Sequence, residues 1–184
     1  MRAAWFDEQG SARDVLRVAE LPDPAPGPGE VLIRNAASGI NPGDIKKRQD
    51  AFGYGMPYPR VIPHSDGAGA IDVAGEDVPE DLVGRRVWCY GAQSYRPFGT
   101  ASEFTVVPLS QAVPLPDHAS FNQRACLGIP GITAHRCVWP ATCRAASSWC
   151  RGVPAPWASA QSNWLAGQGV RRRHGCARRR MNQR

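Results

Sequence analysis

Short apolar runs separated by Gly and Pro turns fill the first 115 residues. Two-residue alternation in Glu30-Val-Leu-Ile-Arg34 and in Ser102-Glu-Phe-Thr-Val106 is typical of strands with one buried face. So many short strands favour a β-barrel or sandwich over alternating βαβ units. We predict six strands, namely Met1–Phe6, Leu16–Glu20, Glu30–Ala37, Gly67–Ala74, Arg85–Tyr90 and Ala101–Val107.

The pattern becomes helical after residue 115. Ser120 and Gln123 have the spacing of a capping box at the start of a helix. Gly128 is suited to end that helix, and Pro130 is suited to begin a second one that continues through Thr133–Val138. Helices after an all-β unit are expected where an α/β domain begins.

A sharp turn at Asn41-Pro42-Gly43 precedes a short predicted helix, Asp44–Arg48. Pro42 fixes its own φ and disfavours the helical region for Asn41. In the simpler interpretation, Asn41 caps the helix and Asp44 lies at its N-terminus. In the alternative, the turn directs the side chains of Asn41 and Asp44 into a binding cleft.

The composition divides the chain into two parts. The 184 residues are 42% hydrophobic and carry a net charge of +6. Residues 1–139 hold 13 Lys and Arg against 16 Asp and Glu, whereas residues 140–184 hold nine Arg and no acidic residue. No apolar period in the second part is long enough to define a helix or strand. We therefore expect residues 140–184 to be disordered.

The arginine-rich segment from Val170 to Arg180 would suit a nucleic-acid-binding arm. Residues 140–184 also contain three Trp and three Cys and no Lys, which is atypical of such arms. We therefore do not favour nucleic acid as a partner.

The expected cellular environment follows from the N-terminus and the cysteines. The chain reaches an acidic residue at Asp7, and no apolar run approaches the length of a membrane span. The six cysteines have no paired spacing, which favours reduced thiols over a disulfide framework or a zinc ribbon. We expect a cytoplasmic protein with no membrane partner.

Seven segments of residues 1–138 are informative as a set. The segments are Pro26-Gly-Pro-Gly-Glu-Val-Leu-Ile33, Gly39-Ile-Asn-Pro-Gly-Asp44, Ile62-Pro-His-Ser-Asp-Gly-Ala-Gly69, Gly84-Arg-Arg-Val-Trp88, Phe98-Gly-Thr-Ala-Ser-Glu-Phe104, Pro114-Leu-Pro-Asp117 and Leu127-Gly-Ile-Pro-Gly-Ile-Thr-Ala134. In this order they resemble the medium-chain dehydrogenase/reductase superfamily, in its zinc-independent, zeta-crystallin-like NADPH:quinone oxidoreductase branch.

The resemblance implies a mainly β fold, with a GroES-like β-barrel domain over residues 1–115. Linking helices over residues 116–138 would lead toward a Rossmann domain, but the glycine-rich fingerprint of that domain is absent. Residues 139–184 would instead be a basic non-native tail. The implied activity is NADPH-dependent reduction of a quinone or activated carbonyl, in a family whose members are typically homodimers. A chain without the cofactor domain is expected to be inactive, because hydride transfer needs a held cofactor.

The resemblance also assigns candidate site residues. Asn41 and Thr133 would line the cofactor side of the cleft, and Ile40 and Tyr54 the substrate side. Asn41 and Asp44 are the candidate catalytic residues: the Asn41 amide suits a ribose or substrate oxygen, and Asp44 would orient the turn. The simpler alternatives are that Thr133 packs between domains and that Tyr54 is a surface aromatic in a Gly-rich loop.

The same comparison predicts no metal site. Zinc-dependent relatives carry Cys where this chain has Asn41, and a His-Glu pair where it has Ser65-Asp66. His64 falls one position early and is interpreted as a loop or core residue, and Cys89 stands alone in its region. Tetrahedral zinc needs several Cys or His ligands. Lys46-Lys47-Arg48 is interpreted as a solvated helix face rather than a clamp for a 2′-phosphate.

The genetic code suggests an origin for the basic tail. If the last base of each codon is joined to the first two of the next, Trp149-Cys150 must give Val, Trp157-Ala158 must give Gly, and Met181-Asn182 must give Glu. With GC-rich third bases elsewhere, the shifted reading of residues 145–170 contains Gly-Gly-Ala-Gly-Ala-Val-Gly after an apolar segment. This pattern is typical of a dinucleotide-binding turn. We interpret the tail as a frameshifted translation of the cofactor domain, which the coding DNA around codon 138 would test.

Two other classes of function stay open. The barrel could act alone as a GroES-like interaction module, in which case residues 1–138 would oligomerise without cofactor. A nucleic-acid-binding protein would instead show salt-dependent RNA binding that is lost with residues 140–184.

Overall fold

The structure is a computed structural model in which residues 1–138 are described. The expected disorder, the basic tail and the proposed frameshift all concern residues that lie outside this range. The strands are β1 (Arg2–Trp5), β2 (Arg17–Glu20), β3 (Glu30–Gly39), β4 (Asp66–Ala74), β5 (Arg86–Cys89), β6 (Phe104–Pro108) and β7 (Ala112–Pro114). The helices are α1 (Ala12–Val15), α2 (Pro42–Arg48), α3 (Phe121–Ala125) and α4 (Gly128–Val138), with 3₁₀ turns at Glu80–Leu82 and Leu109–Gln111.

The main sheet has five antiparallel strands in the order β6-β3-β4-β5-β7, and it curls into a half-barrel. Strands β1 and β2 form a separate two-stranded antiparallel sheet. A single backbone bridge, Ala3 to Ser102, links β1 to the segment before β6. The mainly β, GroES-like prediction is confirmed.

Alternating side chains of the sheet form the main hydrophobic core. Val87 and Cys89 of β5 are buried, while the residues between and before them are half-buried. Val31 and Ile33 of β3 and Val107 of β6 are fully buried in the same cluster. Two smaller clusters, around Trp5 with Ile62 and around Phe6 with Val15, lie under the N-terminal segment.

Strand β3 carries two register shifts against β4, between Leu32 and Ile33 and between Asn35 and Ala37. Such irregularities bend a strand and increase its twist, which helps the sheet to curl. Opposite the second shift lies Gly69, where an added Cβ would come within 1.9 Å of the Arg34 carbonyl oxygen. The close approach of the two backbones therefore requires glycine at position 69.

The six predicted strands all occur, with shifted ends. The largest shift is in β6, which begins at Phe104 rather than Ala101. The Ser102 hydroxyl donates to the Phe104 carbonyl at 2.7 Å, with the Gly99 carbonyl 3.3 Å away as an alternative acceptor, and so holds the preceding residues in a turn. Helix α1 and strand β7 were not predicted, because four and three residues are too few to show a period.

The capping box at α3 is confirmed: the Gln123 N–H donates to the Ser120 hydroxyl at 3.2 Å. The prediction that Gly128 ends this helix is wrong, because α3 ends at Ala125 and Gly128 begins α4. Glycine is required at position 128 because a Cβ there would lie 2.2 Å from Oδ1 of Asp66. None of the helices in residues 1–138 combines the length and the apolar character that a membrane crossing needs.

Candidate functional site

The predicted turn at residues 41–43 joins β3 to α2, and Asn41 is the N-cap residue with φ −119° and ψ 153°. The Asp44 carboxylate accepts a hydrogen bond from the Asn41 N–H at 2.8 Å, and the Asp44 N–H donates to the Asn41 carbonyl at 3.0 Å. Pro42 occupies the first helical turn, where a missing N–H costs nothing. The turn is therefore a helix cap with an acid at the N-terminus, as the simpler interpretation predicts, while the role of its side chains in a binding cleft stays a prediction.

The Asn41 side chain points to a buried carboxylate that sequence reasoning did not single out as functional. The Asn41 amide nitrogen donates to Oδ2 of Asp66 at 2.9 Å, and the Ile129 N–H donates to the same oxygen at 2.8 Å. Asp66 is fully buried, and its Oδ1 has no hydrogen-bond partner within the described part of the chain. One oxygen of Asp66 thus ties β4 to the turn before α2 and to the start of α4.

Burial governs the electrostatics of this cluster. It raises the pKa of Asp66 to about 6, against the partial effect of the hydrogen bonds from Ile129 and Asn41. Burial also raises the pKa of Asp44, although the Asn41 N–H and the nearby His64 and Lys47 charges favour the ionised form. Two carboxyl groups whose pKa values are raised, next to a buried amide, are features that concentrate at functional sites.

His64 lies in a loop beside this cluster, as predicted, with the left-handed φ of 74°. Its Nδ1 is 2.8 Å from the Ser38 hydroxyl, which is 2.8 Å from the Thr100 hydroxyl. The Thr100 hydroxyl donates in turn to the Asp66 carbonyl at 2.6 Å. Burial lowers the pKa of His64, although the Asp44 charge opposes this shift, and Nδ1 of the ring ends this chain of hydroxyls.

The predicted site residues fall into two groups. Asn41 and Asp44 are brought together and are 3% and 6% exposed. Ile40 and Tyr54 are 69% and 86% exposed, and Thr133 is exposed on α4. Tyr54 and Asp44 share the lining of one cavity, which neither Ile40 nor Thr133 lines.

That cavity of about 440 Å³ lies between α2 with its following loop and the loop of residues 91–97. It brings in Lys47, whose ammonium donates to Oε1 of Gln93 at 2.7 Å, and Tyr95, which is 97% exposed. Sequence reasoning did not find Gln93 or Tyr95, because the only local signal in residues 91–97 is a turn bounded by Gly91 and Pro97.

The interpretation of residues 46–48 as a solvated helix face holds for Lys46 and Lys47, which are exposed, while Arg48 is half-buried. The three side chains also make separate contacts. Lys46 lies over the Phe52 ring at 5.9 Å, Lys47 binds Gln93, and the Arg48 guanidinium donates to the Gly10 carbonyl. A helix of only two turns leaves each long side chain within reach of a neighbouring loop.

No group of three or more His, Cys, Asp or Glu suited to hold a metal occurs within residues 1–138. Within the same range Cys89 and Cys126 are free thiols, the first buried and the second exposed. Burial raises the pKa of Cys89 to about 12, so this thiol is chemically inert at neutral pH.

Comparison with known proteins identifies the domain. Residues 27–117 match the alcohol dehydrogenase GroES-like domain. The chain is 34% identical to the quinone oxidoreductase of Mus musculus over 141 residues, which is 76% of this chain and 40% of that protein. It is also 34% identical over 122 residues to a zinc-type alcohol dehydrogenase-like protein of Schizosaccharomyces pombe, covering 65% of this chain and 36% of that protein.

Solved structures give the same picture. A quinone oxidoreductase of Pseudomonas syringae matches 76% of this chain and 41% of its own, with a TM-score of 0.67 and 31% identity. A mycobacterial protein solved with NADPH matches 93% of this chain and 51% of its own, with a TM-score of 0.74 and 25% identity. The chain spans about two fifths of the length of the curated relatives it matches. Through its alcohol dehydrogenase GroES-like domain, the chain belongs to the medium-chain dehydrogenase/reductase superfamily.

Proposed function

We propose that this chain belongs to an NADPH-dependent oxidoreductase of the quinone reductase type, which transfers hydride to a quinone or an activated carbonyl without a metal. The observation that carries this proposal is the 34% identity to the quinone oxidoreductase of Mus musculus over 141 residues. The mycobacterial relative solved with NADPH supports the choice of cofactor.

NADPH would supply the hydride when bound, and the residues described here would form one side of its site. Thr133 presents an exposed hydroxyl on α4, and the Asn41 amide keeps a second N–H hydrogen beyond the one given to Asp66. These groups fit a ligand rich in hydrogen-bonding oxygens. In this proposal Asn41 faces the nicotinamide ribose or the substrate oxygen, and Asp44 holds the Asn41 main chain in place.

The donor set is better suited to hydrogen bonding than to ligating a metal. The Asn41 amide nitrogen, which is not a metal ligand, faces the Asp66 carboxylate, and the His64 Nδ1 faces the Ser38 hydroxyl. An acceptor oxygen is then polarised by N–H and O–H donors, which are effective in a site from which water is excluded. Ile40 and Tyr54 would contact the substrate from the exposed side of the turn.

We also propose a cytoplasmic location, since Cys89 and Cys126 are free thiols. A small-molecule acceptor is the expected partner, and the homodimer expected from the resemblance stays a prediction.

The activity is tested on the product of the gene itself. The coding DNA around codon 138 is sequenced first, and where it gives the shifted reading the frame-restored protein is expressed. We expect NADPH oxidation with 1,4-benzoquinone or an α,β-unsaturated aldehyde as acceptor, and the loss of NADPH absorbance measures it. No oxidation with either acceptor would contradict the proposed function.

For the 184-residue chain as it stands, we predict no NADPH-dependent turnover. Residues 1–138 contain no G-x-G-x-x-G fingerprint, and positioning of the cofactor is the main contribution of the protein to hydride transfer. Titration of the chain with NADPH, followed by cofactor fluorescence, checks this prediction. Micromolar affinity would show it to be wrong.

A further inference from the structure

The cavity between α2 and the loop of residues 91–97 has the size of a small-molecule site. Its volume of about 440 Å³ falls in the range of about 300–1,000 Å³ found for ligand pockets. Asn41 and Thr133, the proposed cofactor-side residues, do not line it. Asp44 and Tyr54 do line it, so the cavity adjoins the turn on its proposed substrate side, and its own side chains must define what it binds.

Part of the cavity lining is aromatic. Phe52 and Tyr54 stack with their ring centroids 5.7 Å apart and their planes at 20°, and both rings are largely exposed. Tyr95, almost wholly exposed, adopts the left-handed φ of 59°, which is rare for a bulky residue and is maintained only where the surroundings impose it. These exposed rings offer flat apolar surface that a planar ligand would cover.

Another part of the lining is polar and preorganised. Gln93 is 5% exposed, and its amide nitrogen donates to the Arg96 carbonyl at 3.3 Å while its Oε1 accepts from Lys47 at 2.7 Å. Both ends of the Gln93 amide are thus engaged, which fixes the position of the ammonium. Gln93 is the only hydrogen-bond partner of that ammonium in the described part of the chain, so two of its three hydrogens are available to a ligand.

The two acidic residues of the lining already have backbone donors. The Asp44 carboxylate accepts from the Asn41 N–H, and the Asp50 carboxylate accepts from the Gly55 N–H at 3.0 Å. Neither carboxylate lies within 4 Å of the Lys47 ammonium, and no other acidic residue of the described range does. Lys47 is therefore the charged group of the cavity whose hydrogen-bonding capacity is least used.

We propose that this cavity binds a planar aromatic molecule that carries an anionic oxygen, with its rings against Phe52, Tyr54 and Tyr95 and its oxygen on the Lys47 ammonium. Lys47 and Gln93 are then specificity-determining residues. As the acceptor of hydride, this ligand would be an ionised hydroxyquinone, an identification that rests on the proposed function. The binding itself does not depend on turnover.

The experiment uses an inert, matched pair of probes, 2-naphthoate and 2-naphthamide, titrated calorimetrically into the 184-residue chain. We expect 2-naphthoate to bind about tenfold more tightly, because a charge-assisted hydrogen bond is stronger than a neutral one. Lys47→Met should remove this preference and leave the affinity for 2-naphthamide unchanged. Lys46→Met, the adjacent lysine whose ammonium lies over Phe52, is the control and should keep the preference for 2-naphthoate over 2-naphthamide.

A third probe, 2-naphthylmethylammonium, tests the opposite charge preference, which the aromatic rings and Asp50 would favour. Tighter binding of this cation than of 2-naphthoate would overturn the proposal, and so would equal affinity for the three probes or binding of none. Phe52→Ala and Tyr54→Ala should weaken both neutral and anionic probes. If 2-naphthoate binds as expected but the frame-restored protein reduces no quinone, the proposed function fails and the site stands.

Discussion

Replacing Gly69 with alanine is expected to lower the free energy of unfolding by about 3 kcal/mol, as overpacking against a rigid neighbour does. The new Cβ would lie 1.9 Å from the Arg34 carbonyl oxygen and 2.8 Å from its carbon, and these atoms belong to the backbone of the paired strand β3. Since no side chain can rotate away, β3 or β4 must move. Urea denaturation of the full chain, monitored by tryptophan fluorescence, measures the loss of stability.

Gly43→Ala is the matched control for this substitution. Gly43 lies in the first turn of α2, and no heavy atom lies within 4 Å of the position that a Cβ would take. Alanine there should be neutral or stabilising by up to about 1 kcal/mol, because it reduces the entropy of the unfolded chain. If Gly69→Ala lowers the free energy of unfolding by less than about 1 kcal/mol, an effect as small as that of the control, the two strands can separate at little cost.

Asp66→Asn is expected to remove a pH dependence of stability. Because burial raises the pKa of Asp66 from 3.8 to about 6, the folded protein binds more protons than the unfolded chain between these values. The contribution of this group to the free energy of unfolding is therefore greatest at low pH and falls as the pH rises through about 6. The decrease over this interval is about 3 kcal/mol, at about 1.4 kcal/mol for each pKa unit.

The asparagine variant can keep both hydrogen bonds, since its carbonyl can accept from Asn41 and Ile129 as Oδ2 does. We expect Asp66→Asn to be more stable relative to the wild type at pH 8 than at pH 4, by about 2–3 kcal/mol. Denaturant titrations at both pH values give this difference, in which the titration of all other groups largely cancels.

Asp72→Asn, on the same strand, is the control for the charge change. Asp72 pairs at 2.6 Å with Arg34 at the surface, where removing one carboxylate should change stability by less than about 1 kcal/mol. If Asp66→Asn shows the same small difference between pH 8 and pH 4 as this control, Asp66 is ionised in the folded protein as easily as in the unfolded chain.

The strands of the barrel were predictable because their signals are local. Glu30-Val-Leu-Ile-Arg34 and the run from Gly67 alternate or are continuously apolar, and Pro and Gly mark the turns between them. The capping signatures at Asn41 and at Ser120 likewise involve residues only three positions apart. Strand β7 lacked such a signal, because its three residues become a strand only by pairing with β5.

The candidate site was less predictable because its contacts are distant in sequence. Nothing in the neighbourhood of Asp66 indicates that Asn41 and Ile129 donate to one of its oxygens, from 25 and 63 positions away. The Lys47–Gln93 hydrogen bond spans 46 positions and was missed for the same reason. The requirement for glycine at position 128 arises from Asp66, which is distant in sequence. Local sequence signals therefore placed Gly128 at the end of α3, whereas it begins α4.

The bond between Asp66 and Ile129 joins segments of the chain that are synthesised at different times. Its acceptor lies on β4, and its donor begins a helix 63 positions later. During synthesis the paired strands β3 and β4 leave the ribosome well before α4 is translated, so the carboxylate can be buried by the turn at Asn41 before the helix arrives. Helix α4 then docks on the surface that β3, β4 and the turn at Asn41 have already formed. The formation of α4 should therefore belong to the last steps of folding rather than to the folding nucleus.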